Sequence, residues 1–466
     1  MLDAVGYTDE AVAEPVRRHR FLLGTETNVV GELDEPLAAL VELFALGQRV
    51  RSARARAALE PVDLGEISET GLVTVNGEWV TPRYRLQPYA DLLLAADVNR
   101  PGDPDRVSSF TGPTLKLARL TPRGRARSML DVGAGSGILA LLAATHSDRV
   151  TATDVNPRAL MFAGFNASLN EITNLELLEG PWFEPVAGRV FDLIVCNPPY
   201  VVSPDQEFAY RDSGLPGSAL LKQLTRGMAD HLAPGGLAVM LCNWPHGSED
   251  DWDSAPTVAA AGTGCDALIL GAGTVDPFEY AVRWSTPPVE FMEPGALRET
   301  VARWLGYYQA TGVGAITNGA VILRRRTRGT PWLRTMTATS TVGDRASEQL
   351  TALLAGHDLL EQLELRGLLA RRFSLPEGLD ISQRFQRRDA RFTARPAMIR
   401  LDDGLGVSAA VDPDALDVLF ACDGRRTLSE AVDNVATRRG VSAEAVSETA
   451  IAAVSELLRH GLLQGT

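Results

Sequence analysis

The sequence contains very little lysine. Lys116 and Lys222 are the only two, although lysine and arginine together number 45, so arginine carries nearly all of the positive charge. This bias, together with abundant alanine, is typical of high-GC bacterial genomes and predicts a bacterial source rather than a function. The formal net charge is -14. A surface this acidic disfavours broad, non-specific binding to nucleic acids or anionic membranes, although a local basic patch is compatible with it.

Cysteine is scarce as well, and long apolar runs are absent. No two cysteines form a Cys-x-x-Cys pair and no histidine lies at zinc-finger spacing, so we expect buried, reduced thiols and no metal site. The N-terminus lacks the basic start and apolar run of a signal peptide. No stretch approaches the roughly 18 uncharged apolar residues of a membrane-spanning helix. These absences predict a cytoplasmic protein without a membrane partner.

A chain of 466 residues is long enough for two to four domains, and its composition divides it into three segments. Residues 1–105 are predicted to form a helical, winged-helix-like domain, because helical spacing is followed by two short strands around Asn76-Gly77, a strong hairpin signal. The stretch 99–105, "NRPGDPD", has the composition of a linker. Residues 106–328 and 329–466 are the second and third predicted domains.

The middle segment alternates predicted strands with helices. The stretches "SMLDVGAG", "RVTATDV", "LELLEG", "FDLIVCN" and "GLAVMLCNW" are typical of buried strands, and "CDALILGAG" and "GAVILRRR" extend the series. This alternation indicates an α/β fold with a mostly parallel, doubly wound, Rossmann-like sheet. The last segment is predicted to hold three helices and a short final strand, which suggests a second helical or winged-helix-like domain.

A glycine-rich turn follows the first strand of the middle segment. In "LDVGAGSGILALLAA", Gly133, Gly135 and Gly137 lie between a predicted strand and a predicted helix, and glycine lets backbone approach a ligand without a Cβ clash. The helix that follows directs N–H groups and a partial positive charge at the turn. Asp131 precedes the turn and could either meet a ligand ammonium or merely cap the turn.

Asp154 ends the next predicted strand, seventeen residues beyond Gly137. In doubly wound folds a carboxylate at this position can accept hydrogen bonds from both ribose hydroxyls. Dinucleotide sites favour Gly-x-Gly-x-x-Gly, whereas Gly-x-Gly-x-Gly with an acid two residues upstream suits an amino acid beside a ribose. The pattern therefore predicts S-adenosyl-L-methionine (SAM) as cofactor and S-adenosyl-L-homocysteine as product.

The fourth predicted strand ends in Asn197-Pro198-Pro199-Tyr200, at the edge where doubly wound sheets bind ligands. The two prolines remove backbone donors and restrict φ, so this stretch is stiff and rich in acceptors. The Asn197 carboxamide oxygen and the Pro198 carbonyl could both accept from one planar –NH2 group, with Tyr200 stacking on it. Such acceptors would stabilise the positive charge that develops on the nitrogen during attack on a SAM methyl group. The alternative is an ordinary strand-ending turn.

These motifs make the middle segment resemble a class I SAM-dependent methyltransferase, and more narrowly the HemK/PrmC-type family, which methylates a glutamine amide in translation release factors. The stretches "LDVGAGSGILAL", "ATDVNPRALMFAGFNASLN", "WFEPVAGRVFDLIVCNPPYVVSP" and "HLAPGGLAVML" are similar to successive motifs of that family, over about residues 108–243. The resemblance implies ribose contacts at Asp154 and amide binding at Asn197 and Pro198. It also implies SAM contacts around the glycine turn, at Asp131, Gly133, Ala134, Gly135 and Gly137.

The sequence departs from the family pattern beside the expected adenine site. Gly180-Pro181 stands where the family commonly has Gly-Asp, so adenine is expected to depend on the backbone N–H of Trp182 and on apolar contact from Val155. After Tyr200, the Glu-Pro and Gly-Gly-x-Asp-Gly patterns of the bacterial release-factor enzymes are missing. Both flanking segments lie outside the standard family enzyme.

The sequence thus predicts an N-methyltransferase that acts on a planar amide or amino nitrogen of a protein or peptide. The first alternative is methylation of an exocyclic amine in RNA. In that case the arginines at 49–56 or 324–328 would bind the phosphate backbone, although either cluster could instead be a solvated surface. A SAM-binding regulator without turnover is the second, but SAM binding alone would not need Asn-Pro-Pro-Tyr. The number of methyl groups transferred and the oligomeric state stay open.

Overall fold

A computed structural model describes residues 2, 5–21, 30, 31, 33–98, 105–205, 211, 212, 217–285, 294–388 and 391–465. The chain divides into two compact units. The first comprises Met1–Leu115, Arg125–Ile269 and Thr274–Arg334, and the second comprises Lys116–Gly124, Leu270–Gly273 and Thr335–Thr466. Residues 99–104, most of the predicted linker, lie outside the described residues. No helix among those described is both long and apolar enough to cross a lipid bilayer.

The N-terminal part of the first unit is a helical module with a small sheet. In chain order it contains α1 (Asp9–Phe21), α2 (Glu35–Leu40) followed by a π-helical turn (Val41–Ala45), β1 (Val50–Arg51), α3 (Ser52–Leu59), α4 (Leu64–Glu69), β2 (Val73–Asn76), β3 (Trp79–Pro82), β4 (Tyr84–Tyr89) and β5 (Leu92–Asp97). The first three strands pair in the order β1-β3-β2, and Asn76 lies opposite Trp79. The predicted hairpin at Asn76-Gly77 is confirmed, while the hairpin of β4 and β5 is additional.

An eight-stranded sheet follows in the chain, and most of its residues belong to the first unit. The elements are, in chain order, α5 (Gly112–Leu120), β6 (Ala126–Val132), α6 (Ile138–Ala144), β7 (Ser147–Asp154), α7 (Pro157–Leu169), β8 (Leu175–Glu179), β9 (Phe191–Cys196), α8 (Ala219–Asp230), β10 (Leu232–His246), α9 (Ser254–Ala260), β11 (Cys265–Val275), α10 (Pro277–Ser285), α11 (Pro294–Thr311), β12 (Ala315–Arg325) and β13 (Leu333–Thr337), with 3-10 turns at Glu184–Val186 and Glu249–Asp251. The strand order is β13-β11-β12-β10-β9-β6-β7-β8.

The predicted doubly wound sheet is confirmed. The five strands from β10 to β8 are parallel, whereas β12 runs antiparallel to β10. Leu130, Ile194 and Met240 on three of these strands are fully buried, as expected for parallel strands covered on both faces. The cysteines are all buried and unbridged, as predicted, at Cys196, Cys242, Cys265 and Cys422.

The N-terminal module and the sheet share a hydrophobic core along α7. Asn166 accepts the Ala95 N–H at 2.7 Å and donates to the Ala95 carbonyl at 3.0 Å, and Asn170 makes the same pair of bonds with Leu93. The two side-chain amides therefore bond to β5 as a neighbouring strand would. Phe162 of α7 lies in the core cluster of the N-terminal module.

The second unit combines helices with short strands. It contains α12 (Ala346–Gln362), β14 (Arg372–Ser374), β15 (Leu379–Ser382), β16 (Phe385–Arg388), β17 (Arg391–Ala394), β18 (Ala397–Leu401), β19 (Ser408–Val411), α13 (Leu416–Phe420), β20 (Asp423–Thr427), α14 (Leu428–Arg439), α15 (Ala443–Arg459) and β21 (Gln464–Gly465), with 3-10 turns at Leu365–Ala370 and Pro413–Ala415. The sheets are β20-β14-β21, β15-β18-β19 and the two-stranded β16-β17. The three predicted helices are α13 to α15, whereas β14 to β19 were not predicted.

Local sequence explains where the longest predicted helices begin and end. Thr427 and Glu430 form a capping box at the start of α14, each side chain accepting the other residue's backbone N–H. The helix ends at Gly440, whose φ of +68° suits a left-handed cap. Ser442 then accepts the Ala445 N–H and begins α15.

Candidate cofactor and acceptor site

A pocket of about 670 Å³ lies where β6, β7 and β9 reach their carboxyl ends. This is the edge at which doubly wound sheets bind ligands. The pocket brings together most of the predicted site residues, namely Gly133, Ala134, Gly135, Asp154, Val155, Trp182, Asn197, Pro198 and Tyr200. Asp131 and Gly137 are not among the residues that line it.

The three glycines of the turn have different surroundings. A Cβ added at Gly133 or Gly135 would meet no atom within 4 Å, so the space beside them is open to a ligand. At Gly137, with φ of +86°, a Cβ would lie 2.9 Å from the Ala163 Cβ. Gly137 therefore permits the close packing of α6 on α7, while the first two glycines border the pocket.

Asp154 joins the end of β7 to the glycine turn. One carboxylate oxygen accepts the Gly135 N–H at 2.9 Å and the other accepts the Asn156 N–H at 2.9 Å. Burial raises the pKa of Asp154, although these backbone N–H groups act in the opposite direction. Each oxygen keeps a further lone pair for a ligand hydroxyl, which fits a ribose.

Asp131 lies beneath the turn. Its side chain accepts the Ala140 N–H at 3.1 Å, and its other oxygen, Oδ1, is buried without a hydrogen-bond partner in the part of the chain described. Burial, reinforced by the nearby charge of Asp154, raises the pKa of Asp131 to about 7. The Asp131 carboxyl group therefore stabilises the first turn of α6 through its bond with the Ala140 N–H.

The predicted adenine side of the pocket is formed by Val155, Gly180 and Trp182. Trp182 adopts a φ of +50°, and its carbonyl accepts the Thr153 hydroxyl at 2.9 Å. The Gly180 N–H donates to the Asp154 carbonyl at 3.0 Å, which ties this loop to the end of β7. Val155 is 57% exposed, so its side chain is available for apolar contact with a ligand.

Asn197 presents an unpaired acceptor in the other half of the pocket. Its Nδ2 donates to the Thr114 hydroxyl at 3.3 Å, whereas its Oδ1 is shielded from solvent and has no partner among the described residues. An unpaired buried polar atom costs about 1–3 kcal/mol, which a ligand donor would recover. Tyr200 and Trp284 form a wall here, edge to face with ring centroids 6.4 Å apart.

The backbone after Tyr200 is held by two helices that the sequence analysis did not connect with the site. The Tyr280 hydroxyl of α10 accepts the Val202 N–H at 3.1 Å and an Asn243 N–H at 2.8 Å. The Tyr308 hydroxyl of α11 donates to the Val202 carbonyl at 2.7 Å. Residues 206–210 and 213–216, in the same stretch, lie outside the described residues. The aromatic spacing of "PFEYAVRWS" was the available signal, but it did not show what the helix faces.

Several of the arginines considered as an RNA-binding surface have acidic partners. Arg54 contacts Glu42 at 2.8 Å and also pairs with Glu35. Arg324 and Arg326 contact Asp266, at 2.7 and 3.3 Å, and this carboxylate is 1% exposed. Arg54, Arg324 and Arg326 are therefore engaged by carboxylates, and the last two anchor the end of β12 to β11, whereas Arg49 and Arg56 are exposed.

Comparison with known families identifies the middle of the chain. A family model described as a methyltransferase small domain matches residues 110–249. Two other models, each described as a domain of unknown function, match residues 8–83 and 349–465. Residues 110–249 are therefore a methyltransferase domain, and each flanking segment matches a separate family model.

Curated relatives agree with this assignment. The release factor glutamine methyltransferase of Xylella fastidiosa (strain 9a5c) is 37% identical over 134 residues, which are 26% of this chain and 49% of that protein. The enzyme of the same name from Escherichia coli (strain K12) is 34% identical over 143 residues, 28% of this chain and 51% of that protein. The chain thus spans about half the length of these relatives. The predicted resemblance to class I methyltransferases of HemK/PrmC type is confirmed over this region.

Solved structures add little to these matches. Trm5b from Pyrococcus abyssi covers 54% of this chain and 62% of its own, with a TM-score of 0.32 and 16% identity. A similarity at this level carries no argument about substrate or mechanism.

Proposed function

We propose that the protein is a SAM-dependent methyltransferase that transfers a methyl group to a planar amide nitrogen of a protein, with a glutamine side chain as the first candidate. The observation that carries this proposal is the unpaired, buried Oδ1 of Asn197 at the stiff end of β9. The two relatives named as release factor glutamine methyltransferases support the choice of substrate.

The residues of the pocket fit the cofactor. When bound, SAM supplies its methyl group as an electrophile on a sulfonium sulfur. Asp154 accepts from the ribose hydroxyls, Gly133 and Gly135 leave room for the ligand beside the turn, and Val155 with the Trp182 backbone contacts the adenine. Asp131 acts as a positioning residue, because its carboxyl group bonds to α6 and is not among the residues lining the pocket.

The acceptor nitrogen is oriented by Asn197 and Pro198. The Asn197 Oδ1 and the Pro198 carbonyl accept from the two N–H bonds of the amide, and Tyr200 forms a wall beside its plane. These acceptors stabilise the positive charge on the nitrogen more in the transition state than in the ground state. The proton can leave after the transfer, so no general base is required before it.

The two alternatives lose support on specific grounds. An RNA base as methyl acceptor relied on the arginines around positions 49–56 and 324–328, but Arg54, Arg324 and Arg326 are occupied by acidic partners. A regulator without turnover has no use for an acceptor site, and the Asn197 oxygen is left unpaired at a cost. We also propose the domain boundaries near residues 105 and 328, since the three family matches fall within the three segments.

The test is methyl transfer to separated fractions of a host lysate. The full chain is incubated with labelled SAM and with protein, peptide or RNA fractions, and labelled protein is then digested for mass spectrometry. We expect label in the protein fraction and a mass increase of one methyl group, about 14 Da, on a glutamine residue. Label confined to RNA, or SAM binding without transfer to any fraction, would contradict the proposal.

A further inference from the structure

Strands β16 and β17 form a ribbon that pairs with no other strand of the described chain. We use "ribbon" for residues 384–395, which are inserted between the paired strands β15 and β18. Phe385 lies opposite Ala394 and Arg387 lies opposite Phe392. The Arg395 N–H donates to the Arg384 carbonyl at 2.8 Å and closes the base of the ribbon.

One face of the ribbon carries two phenylalanines. Because side chains alternate along a strand, Phe385, Arg387 and Phe392 share a face. Phe385 is 62% exposed and Phe392 is 71% exposed, and neither belongs to the core cluster of the second unit. Two neighbouring aromatic rings without a packing role in the described structure indicate a surface for a partner.

The ribbon is also strongly basic. Its sequence, "RFQRRDARFTAR", has five arginines and one aspartate, in a chain whose net charge is -14. Arg384, Arg387 and Arg391 are exposed, and none of them has an ion pair within the part of the chain described. This differs from Arg54 and Arg324, which are neutralised by acidic neighbours. The charge complements a polyanion.

We propose that the ribbon binds single-stranded RNA, with bases stacked on Phe385 and Phe392 and a phosphate beside Arg387 on the same face, while the arginines of the opposite face add to the positive charge of the ribbon. Aromatic platforms combined with positive charge are how proteins hold single strands, because every base has a flat face and every link has a negative phosphate. In an RNA duplex the faces of the bases are stacked on one another, whereas the bases of unpaired segments are free to stack on protein side chains. The proposal concerns binding alone and neither requires nor implies methylation of the RNA.

The test measures fluorescence anisotropy of a fluorescein-labelled, mixed-sequence 12-nucleotide RNA with the full chain. The key variant carries Phe385→Leu and Phe392→Leu, which keeps most of the apolar area but removes the stacking rings. We expect at least tenfold weaker RNA binding, since loss of one stacked base weakens binding by roughly 5- to 150-fold. Unchanged affinity in this variant would overturn the proposal.

Matched changes separate stacking from charge and from folding. Thr393→Ala, on the opposite face of the ribbon, should leave RNA affinity unchanged. Arg387→Gln should reduce the slope of log affinity against log salt concentration by about 0.7, the value for one phosphate contact with a single strand. Circular dichroism should show the same melting curve for all variants, because the altered side chains are exposed.

Three further probes address other partners. No RNA binding by the unmodified chain would overturn the proposal, as would tighter binding of a single-stranded DNA of equal sequence. A polyglutamate peptide is the probe for a protein partner. If the chain binds this peptide but not RNA, and the variant with Phe385→Leu and Phe392→Leu still binds the peptide, the ribbon is assigned to an acidic protein partner instead. Weaker binding of a 12-base-pair RNA duplex than of the single strand would support stacking on unpaired bases.

Discussion

The two halves of the pocket are built differently. In the half that we propose for the cofactor, called the cofactor half and formed by Gly133, Ala134, Gly135 and Asp154, backbone N–H groups and the carboxylate bond to one another and to the end of β7. In the acceptor half, formed by Asn197, Tyr200 and Trp284, the Asn197 Oδ1 and the Trp284 Nε1 are buried without partners among the described residues. The first half is complete without a ligand, whereas the second leaves polar atoms unpaired.

Under the proposed function, this difference predicts that SAM binding and methyl transfer depend on separate sets of residues. The bonds of the cofactor half join residues about twenty positions apart in the chain. The acceptor half depends on contacts such as Asn197 with Thr114 and Val202 with Tyr280, which join residues 83 and 78 positions apart. We therefore expect changes in one half to alter SAM affinity and changes in the other to alter the rate of transfer.

The largest expected effect follows Asn197→Ala. Loss of one group that stabilises the transition state typically lowers turnover by about 10²-fold or more, and SAM affinity should stay within about twofold. Turnover is measured with labelled SAM and affinity by calorimetry. Thr114→Val is the matched control: it removes only the hydroxyl that holds the Asn197 Nδ2, so its effect should be smaller. Unchanged turnover in Asn197→Ala would remove this residue from the mechanism.

Asp154→Ala should show the opposite pattern. Loss of a carboxylate that accepts from a ribose and from the Gly135 N–H should weaken SAM binding by about tenfold or more, because hydrogen bonds to charged groups contribute about 1.5–3 kcal/mol. Turnover at saturating SAM should change less. Asp148→Ala, on the same strand but in an exposed pair with Arg125, is the control and should bind SAM normally. Equal affinities for both variants would contradict the ribose assignment.

Tyr280→Phe tests whether the helices after β11 hold the acceptor half. The change removes the acceptor of two buried N–H groups and should lower the free energy of unfolding by about 1–3 kcal/mol. Turnover should fall several-fold while calorimetric SAM affinity is unchanged. Tyr307→Phe, on α11 beside Tyr308, is a nearby aromatic control. A similar loss of SAM affinity in Tyr280→Phe would contradict the prediction that the acceptor half affects only turnover.

The effect expected at Asp131 concerns neither turnover nor SAM affinity and appears as a pH dependence of stability. Burial raises the pKa of Asp131 to about 7, so the folded chain holds a proton that the unfolded chain releases near pH 4. Its contribution to the free energy of unfolding is complete below about pH 4 and is lost as pH rises through about 7.

Asp131→Asn imitates the neutral carboxyl group. Relative to the unmodified chain, it should be more stable at pH 8, by on the order of 1–3 kcal/mol, and similar at pH 4. Denaturant unfolding at the two pH values measures this. SAM affinity should change less than about threefold if Asp131 only positions the turn. A loss beyond tenfold would instead show that its carboxylate meets the cofactor directly.

The arrangement of the half proposed for the cofactor could be predicted from the sequence because that half is local. A strand, a glycine turn and an acid at the end of the next strand specify their own positions once the sheet is parallel, so spacing alone predicted that Gly133, Gly135 and Asp154 lie together, and all three line the pocket. Gly137 and Asp131 fitted the same motif, yet they lie outside the pocket lining, since motif spacing does not distinguish packing from ligand contact. The bonds between β5 and α7 were not predicted because they join residues 71 and 77 positions apart.

The amino-acid sequence by itself determined the doubly wound sheet, the site at its carboxyl edge and the stiff Asn-Pro-Pro-Tyr end of β9. These follow from periodicity, glycine and proline stereochemistry, which act between near neighbours in the chain. Only the tertiary structure decided that Tyr280 and Tyr308 hold the backbone after Tyr200 and that Trp284 walls the acceptor half. Those contacts depend on how helices distant in sequence pack. A local sequence pattern does not indicate which side chain of a helix will contact the backbone of another segment.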